Sequence, residues 1–215
     1  MLAYIAWHRP AAGVDAAAYE QALERFHRSL ARVPPSGFGG SCAFHAGAVP
    51  QFAQSDEEPG GEAAGSRGGE SRSAQTPSAP GYEDWYLVDG WSSLGVLEEA
   101  AVAHGHQSRH DAVAGRAALA AGAVYRLSEG HPRLTETRIS VWVAPGRNHA
   151  VPAIADLLGD GMDPTSSTLW RRCLGLGPAP EYCLLAREPP PGVAPARLPA
   201  GWRSVVAARE PVWQP

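Results

Sequence analysis

Residues 82–110 read YEDWYLVDGWSSLGVLEEAAVAHGHQSRH, and the change of period inside this stretch decides the fold. Trp85, Leu87, Asp89 and Trp91 alternate onto one strand face, Tyr86, Val88 and Gly90 onto the other. From Leu94 the apolar residues recur at helical spacing, through Leu97 and Ala101. A strand therefore runs into a helix that closes on His104, His106 and His110.

Toward the N-terminus, residues 2–8 alternate as a strand, with Leu2, Tyr4, Ala6 and His8 on one face and Ala3, Ile5 and Trp7 on the other. Asp15 is placed to cap a helix whose apolar stripe is Tyr19, Leu23, Phe26, Leu30 and Val33, with Glu20, Glu24, Arg25 and Arg28 opposite. Pro34-Pro35 stops it, and residues 38–45 form a second strand, glycine-rich at its start, where a bulge is expected. Residues 54–80 contain no aromatic residue and no Val, Leu, Ile or Met. Such a segment buries too little to offset its ordering entropy and reads as a disordered insertion between strands two and three. Beyond the first helix pair, Ser108-x-x-Asp111 resembles a capping box for a further helix, and residues 122–127 supply a fourth strand. The order β-α-β-β-α-β is the ferredoxin-like unit.

A weaker echo follows. Ala6-Trp7-His8-Arg9-Pro10 matches Val141-Trp142-Val143-Ala144-Pro145 at Trp and Pro, and residues 83–88 match residues 180–185 as acid, aromatic, then apolar. A short helix at 150–158, a strand at 169–174 and a strand at 204–208 complete it, with proline-rich 189–199 where the second helix would stand. The expected fold is α+β: two ferredoxin-like halves, residues 1–130 and 137–215, forming an intramolecular α/β barrel, the second half lacking a full second helix.

Composition narrows the function. The chain has 215 residues and a formal net charge of −4, which gives no basic footprint for nucleic acid. No apolar run approaches the ~20 residues that span a bilayer, and residues 1–10 lack the marks of a signal peptide, so no membrane partner and a cytoplasmic location are expected. Every basic side chain is arginine, which excludes Schiff-base and P-loop lysine chemistry. Three cysteines, Cys42, Cys173 and Cys183, show no CxxC spacing and read as free thiols. Gly175-Leu176-Gly177-Pro178 lacks the lysine and the helix of a phosphate loop and reads as a turn.

Two successive units of this kind resemble the dimeric α/β-barrel superfamily in its fused, tandem form. The passage from Trp91 through Ser92-Ser93 to His110 resembles its antibiotic-biosynthesis-monooxygenase branch, in which a Trp ending the third strand precedes a helix closing near a histidine. Heme-degrading members carry a heme-ligating histidine at about this distance and an asparagine on the first strand, where this chain has His8. The resemblance therefore implies heme as a candidate cofactor, with His110 and His8 as candidate catalytic residues. LGPAPEYCLL and REPVW are also similar to segments of uncharacterised actinobacterial-type proteins, which implies a fold and no activity.

The residues themselves leave the site open. Tyr4, Trp85, Asp89 and Trp91 are candidates to line, with His8, an aromatic cavity between sheet and helices or between the two sheets, suited to a flat organic ligand. Aromatic strand faces are more often simple core. His106 and His110 share a face if the helix runs through Gly105, at a spacing that holds metals, yet histidines at a helix end also suit the macrodipole, and no metal site is expected. Three readings follow: a small-molecule-binding protein with a hydrophobic or aromatic ligand in a barrel pocket, a monooxygenase-like or heme-handling enzyme using His110, and a structural or interaction protein. The assembly expected is a monomer with an internal pseudo-dimer, or a homodimer.

Overall fold

The computed structural model describes residues 1–47, 81–102, 105–145, 166–176, 180–193 and 197–215. Its elements are β1 (Leu2–Pro10), α1 (Ala16–Arg32), β2 (Phe38–Ala46), β3 (Gly81–Val88), α2 (Trp91–Val102), α3 (Gln107–Ala114), β4 (Ala117–Glu129), β5 (Ile139–Ala144), β6 (Thr168–Leu176), β7 (Tyr182–Ala186) and β8 (Arg203–Trp213). The strands close into an antiparallel barrel in the order β1-β3-β2-β8-β5-β7-β6-β4. The fold is thus α+β, an eight-stranded closed barrel with α1, α2 and α3 packed outside it. Taken separately, the N-terminal strands run β4-β1-β3-β2 and the C-terminal strands β8-β5-β7-β6, the same permutation twice. The two sets are sewn together along β4·β6 and β2·β8. β8 does this by pairing with β5 over Arg203–Ala208 and with β2 over Arg209–Trp213.

Strand alternation sends one set of side chains into the lumen. Ala3, Ile5 and Trp7 of β1, Trp85 and Leu87 of β3, Tyr125 of β4, Trp142 of β5, Trp170 of β6 and Cys183 and Leu185 of β7 form one buried cluster. Trp7 and Trp142 meet edge to face with ring centroids 5.0 Å apart, as do Trp85 and Trp170 at 5.5 Å. Each such aromatic takes about 150–250 Å² out of water, on the order of 4–6 kcal/mol of transfer free energy as an upper bound. The lumen is therefore a packed core at these residues, where the sequence led us to expect a ligand pocket.

The opposite faces of β1, β3 and β4 carry the helices. Tyr19, Ala22, Leu23, Phe26, His27 and Leu30 of α1 are buried against them, and Asp15 caps the helix by accepting the Ala18 N–H at 2.8 Å, a contribution of about 1 kcal/mol. Leu2, Phe26, Leu30, Tyr86, Val88, Leu97 and Val124 make the apolar part of this layer.

The structure corrects several sequence expectations. β3 ends at Val88, because the Asp89 N–H turns away to the Gly37 carbonyl at 3.0 Å and Gly90 accepts the first bond of α2 from Leu94 at 3.1 Å. Asp89 and Trp91 are therefore not on the strand face of Trp85. Gly105 adopts a positive φ of 91° between α2 and α3, so the helix that begins at Trp91 does not run on to His106 and His110, which stand at the start of α3. The expected capping box at Ser108 is absent: His106 is the N-cap of α3, with no side-chain capping bond. The echo of residues 83–88 in 180–185 is displaced. Strand pairing sets Trp7 opposite Glu83 and Trp142 opposite Cys183, so Glu83 answers to Cys183, and an odd displacement exchanges the two faces. The bulge expected near the start of β2 is present between Phe38 and Gly40. In the proline-rich stretch Pro191–Val193 forms one 3-10 turn. The insertion at 54–80, the helix at 150–158 and His104 lie outside the described residues.

Candidate functional site

Among the described residues polar side chains gather in the lumen, in the layer between sheet and α1 and at the open end of the α1/α3 pair, besides a shallow cavity where Glu20 meets His45 and Tyr82. In the lumen, Arg209 Nε stands 3.2 Å from Glu83 Oε1, both side chains fully buried. The guanidinium lies 3.7 Å from the Phe44 ring centroid and its Nη1 donates to Thr137 Oγ1 at 2.7 Å. Trp85 Nε1 donates to the same Glu83 oxygen at 2.5 Å. Burial pushes the Glu83 carboxyl up, with Arg209 and the indole donors opposing it, and burial pushes the Arg209 guanidinium down. The two charged groups are tied to one another, to Thr137 and to Trp85, while Glu83 Oε2, Arg209 Nη2, Trp142 Nε1 and Trp170 Nε1 are buried without a hydrogen-bond partner among the described residues.

Asp84 organises the second place. It points out of the barrel, on the face of β3 opposite Glu83, and its Oδ2 lies 3.0 Å from His8 Nε2 and 3.4 Å from His27 Nε2. Tyr86 donates its hydroxyl to the same oxygen at 3.1 Å. The remaining ring nitrogens meet hydroxyls: His8 Nδ1 and Tyr19 Oη are 2.7 Å apart, His27 Nδ1 and Ser41 Oγ 2.8 Å. Each imidazole therefore turns Nε2 to the carboxylate and Nδ1 to a hydroxyl, and each is stacked on a tyrosine, His8 on Tyr82 and His27 on Tyr86. Burial raises the Asp84 carboxyl, but the charge of and hydrogen bonds from His8 and His27 outweigh it and hold the group well below the usual carboxylate range. Tyr19 and Tyr86 are pushed up, first by burial and then by Asp84. His8, His27 and Asp84 are 5%, 0% and 2% exposed, so this seam fixes α1 on the sheet and has no mouth for a substrate.

The third place is open. A cavity of about 360 Å³ between the C-terminal turns of α1 and the start of α3 is lined by Arg25, Arg28, Ser29, Arg32, Val33, Gly105, His106 and Arg109. His106 is 5% exposed, and its Nδ1 lies 2.9 Å from Ser29 Oγ. Ser29 donates its one hydroxyl proton to the Phe26 carbonyl at 2.7 Å and so accepts from His106 Nδ1–H. That leaves Nε2 outside the Ser29 bond, on a residue that lines the cavity.

The sequence-selected residues scatter over these places. His8 belongs to the Asp84 seam. Tyr4 is in the same layer, stacked on Tyr86 at 6.0 Å over Gly122, where a Cβ would come within 2.6 Å of its hydroxyl. Trp85 is in the lumen, on the other side of the sheet. Asp89 is exposed, and Trp91, 47% exposed, begins α2. His110 is half-exposed, with Nδ1 3.1 Å from Asp111 Oδ1 and its ring edge on Phe26. On the side where His110 meets Phe26 the layer between helices and sheet is filled by Leu30, Tyr86 and Leu97, so a heme has no room there and would have to lie on the half-exposed face of the ring. The histidines read as one cluster separate likewise, His106 inward to Ser29 and His110 outward to Asp111.

Sequence reading missed Asp84, His27 and Tyr19, although the two carboxylates Glu83 and Asp84 in an otherwise apolar and aromatic strand were a signal. It also missed Arg32 and Arg109 as companions of Arg25 and Arg28. The spacing along α1 was visible, but the approach of α3 is a long-range contact.

No protein-family model matches the chain, and no curated protein matches it in sequence. Among solved structures it is similar to one titled as a putative chlorite dismutase, with TM-score 0.48 and 12% sequence identity over 98% of this chain and 94% of that one. No helix among the described residues is long and apolar enough to cross a membrane.

Proposed function

We propose that this protein binds a small molecule in the cleft between α1 and α3, and that the barrel serves as its scaffold. One observation carries the reading: the α1/α3 cleft is open and is lined by Arg25 and Arg32, which have no acidic partner among the described residues, whereas the charged groups of lumen and seam are buried and paired with one another. Its volume of about 360 Å³ is at the lower end of the range for ligand pockets, which suits a compact molecule. The repeated strand permutation supports dividing the barrel into two ferredoxin-like halves at 1–130 and 137–215. Closure within one chain supplies each half with its partner and favours a monomer with an internal pseudo-dimer.

The test is thermal denaturation of the full chain against a panel of compact neutral, aromatic and anionic molecules, with Val33→Trp beside the parent. Saturation at a hundredfold excess over Kd is worth about 2.7 kcal/mol, a rise of roughly 5–10 °C for a chain of this size. The expected result is such a rise with one class of ligand in the parent and its loss when the Trp ring occupies the cleft. A panel that moves nothing, or moves parent and variant alike, refutes the reading.

A further inference from the structure

We infer that the cleft is an anion site for a small molecule carrying a phosphate or pyrophosphate group; this rests on the reading that the cleft binds a ligand at all. The chain as a whole is acidic, with a net charge of −4, so a cluster of arginines is not a consequence of bulk composition. Yet Arg25, Arg28, Arg32 and Arg109 line one cavity, and no carboxylate lines it among the described residues. Arg28 is occupied at the rim, paired with Glu24 one turn back and resting 5.5 Å from the Trp213 ring centroid. Arg25 and Arg32 have no acidic partner among the described residues.

Helix electrostatics do not explain the arrangement. The macrodipole favours Arg32, in the last turn of α1. It disfavours Arg109, which stands in the first turn of α3, where the backbone N–H groups already gather positive charge and no acidic residue relieves it. Arg109 is nonetheless held there, its Nη1 donating to the Gly105 carbonyl at 3.0 Å. Like charges three or four residues apart on a helix also cost a few tenths of a kcal/mol per pair, as Arg25, Arg28 and Arg32 do. These costs are recovered when an anion enters.

The chemistry of the donors selects the anion. Guanidinium forks recognise phosphate and carboxylate oxygens in pairs, and forks converging from two helices offer more donors than one carboxylate can accept. His106 adds an imidazole to the same lining, and the methylene stems of the arginines with Val33 supply an apolar wall for the organic part of the ligand.

The test is calorimetric titration of the full chain with pyrophosphate and, separately, succinate, on the parent, Arg25→Gln/Arg32→Gln, Arg109→Gln and, as a control outside the cleft that removes the same charge as Arg109→Gln, Arg133→Gln. Pyrophosphate is expected to bind at least tenfold more tightly than succinate, and to lose at least tenfold in both cleft variants and none in the control. The unliganded melting temperature of Arg25→Gln/Arg32→Gln is expected to hold or rise, since repulsion is removed; a merely structural role for these arginines predicts a fall. Succinate binding as tightly as pyrophosphate overturns the phosphate assignment, and equal loss in Arg133→Gln overturns the site. If pyrophosphate fails while a neutral or aromatic molecule still binds in a Val33→Trp-sensitive way, this inference falls and the ligand-binding cleft stands. If nothing binds, both fall.

Discussion

Replacing Arg209 by methionine tests the account of the lumen. The substitution keeps an unbranched apolar stem against Phe44 but removes the guanidinium that stands 3.2 Å from Glu83 and donates to Thr137. It leaves a carboxylate that is fully buried and retains only its indole donors, Trp85 at 2.5 Å foremost. Breaking a buried pair by removing one partner costs about 3–5 kcal/mol, because the surviving charge has no counter-ion and no water. For a chain of this length that lowers Tm by roughly 6–20 °C, at about 2–4 °C per kcal/mol. The second variant, Glu83→Gln/Arg209→Met, removes both charges and keeps an acceptor for the indole. It is expected to recover at least about 2 kcal/mol, since replacing a buried pair outright is often nearly neutral. Urea denaturation followed by tryptophan fluorescence measures both variants, the lumen indoles reporting its loss of packing directly. A cost below about 1 kcal/mol for Arg209→Met, or strict additivity in the double variant, would show that the pair is not the sealed unit described above.

Four further outcomes are expected. Asp84→Asn should destabilise by about 1.5–3 kcal/mol at neutral pH. Because the folded-state pKa of Asp84 lies below its unfolded value of about 3.9, the unfolded chain protonates first on acidification, so the parent loses this advantage as pH falls below about 4 and the gap to the variant narrows; a gap independent of pH between 7 and 3 would contradict it. Trp142→Ala, at 1% exposure, should cost about 3–5 kcal/mol, and Trp91→Ala, at 47%, less than about 0.5, a comparison read from denaturation midpoints. Native alkylation at pH 8 should label Cys173, which is exposed, and spare Cys42 and Cys183, the Cys42 thiol being pushed up to about 11 by burial; mass spectrometry of the digest decides it. Replacing the Asp84 seam by apolar residues, as His8→Val/His27→Leu/Asp84→Leu, should give a folded chain within about 2 kcal/mol of the parent by the same denaturation, and a chain that fails to fold would assign the seam an indispensable structural role.

The strands were legible because a barrel filled with side chains imposes a strict period of two. Trp7 and Trp85 announced their faces by alternation, Trp142 by its echo of Trp7, and the helical stripe of Tyr19, Leu23, Phe26 and Leu30 announced α1. What alternation does not encode is which face is lumen and which lies under a helix. Tyr4 and Trp85 therefore looked like companions although a sheet separates them. Nor does it encode where a strand stops when both neighbours are aromatic, and Trp91 continued the period of β3 while its backbone had already turned helical. The cleft was illegible for another reason: its walls come from two helices whose approach depends on α3 packing against α1, and the break before α3 includes Gly105 at positive φ.

The second half of the barrel offers an internal comparison for the first. With Trp7 answering to Trp142 and Glu83 to Cys183, the positions of His8 and Asp84 are taken in the second half by Val143 and Leu184, which are fully buried in an apolar cluster with Val141, Leu169, Tyr182 and Val193. The same strand permutation is thus covered on its outer face by apolar packing in one half and by a carboxylate with two imidazoles in the other. The topology does not require the seam. What distinguishes the first half is the helix the seam holds: His27, on α1, reaches Asp84, and Ser29, two residues on, anchors His106 at the mouth of the cleft. The buried polar bonds therefore fix the rotation of α1, and with it the direction in which Arg25, Arg28 and Arg32 face α3. A purely apolar stripe fixes that rotation less sharply, because hydrophobic burial is non-directional while hydrogen bonds are not. The seam thereby bears on the proposed anion site through the position of its arginines.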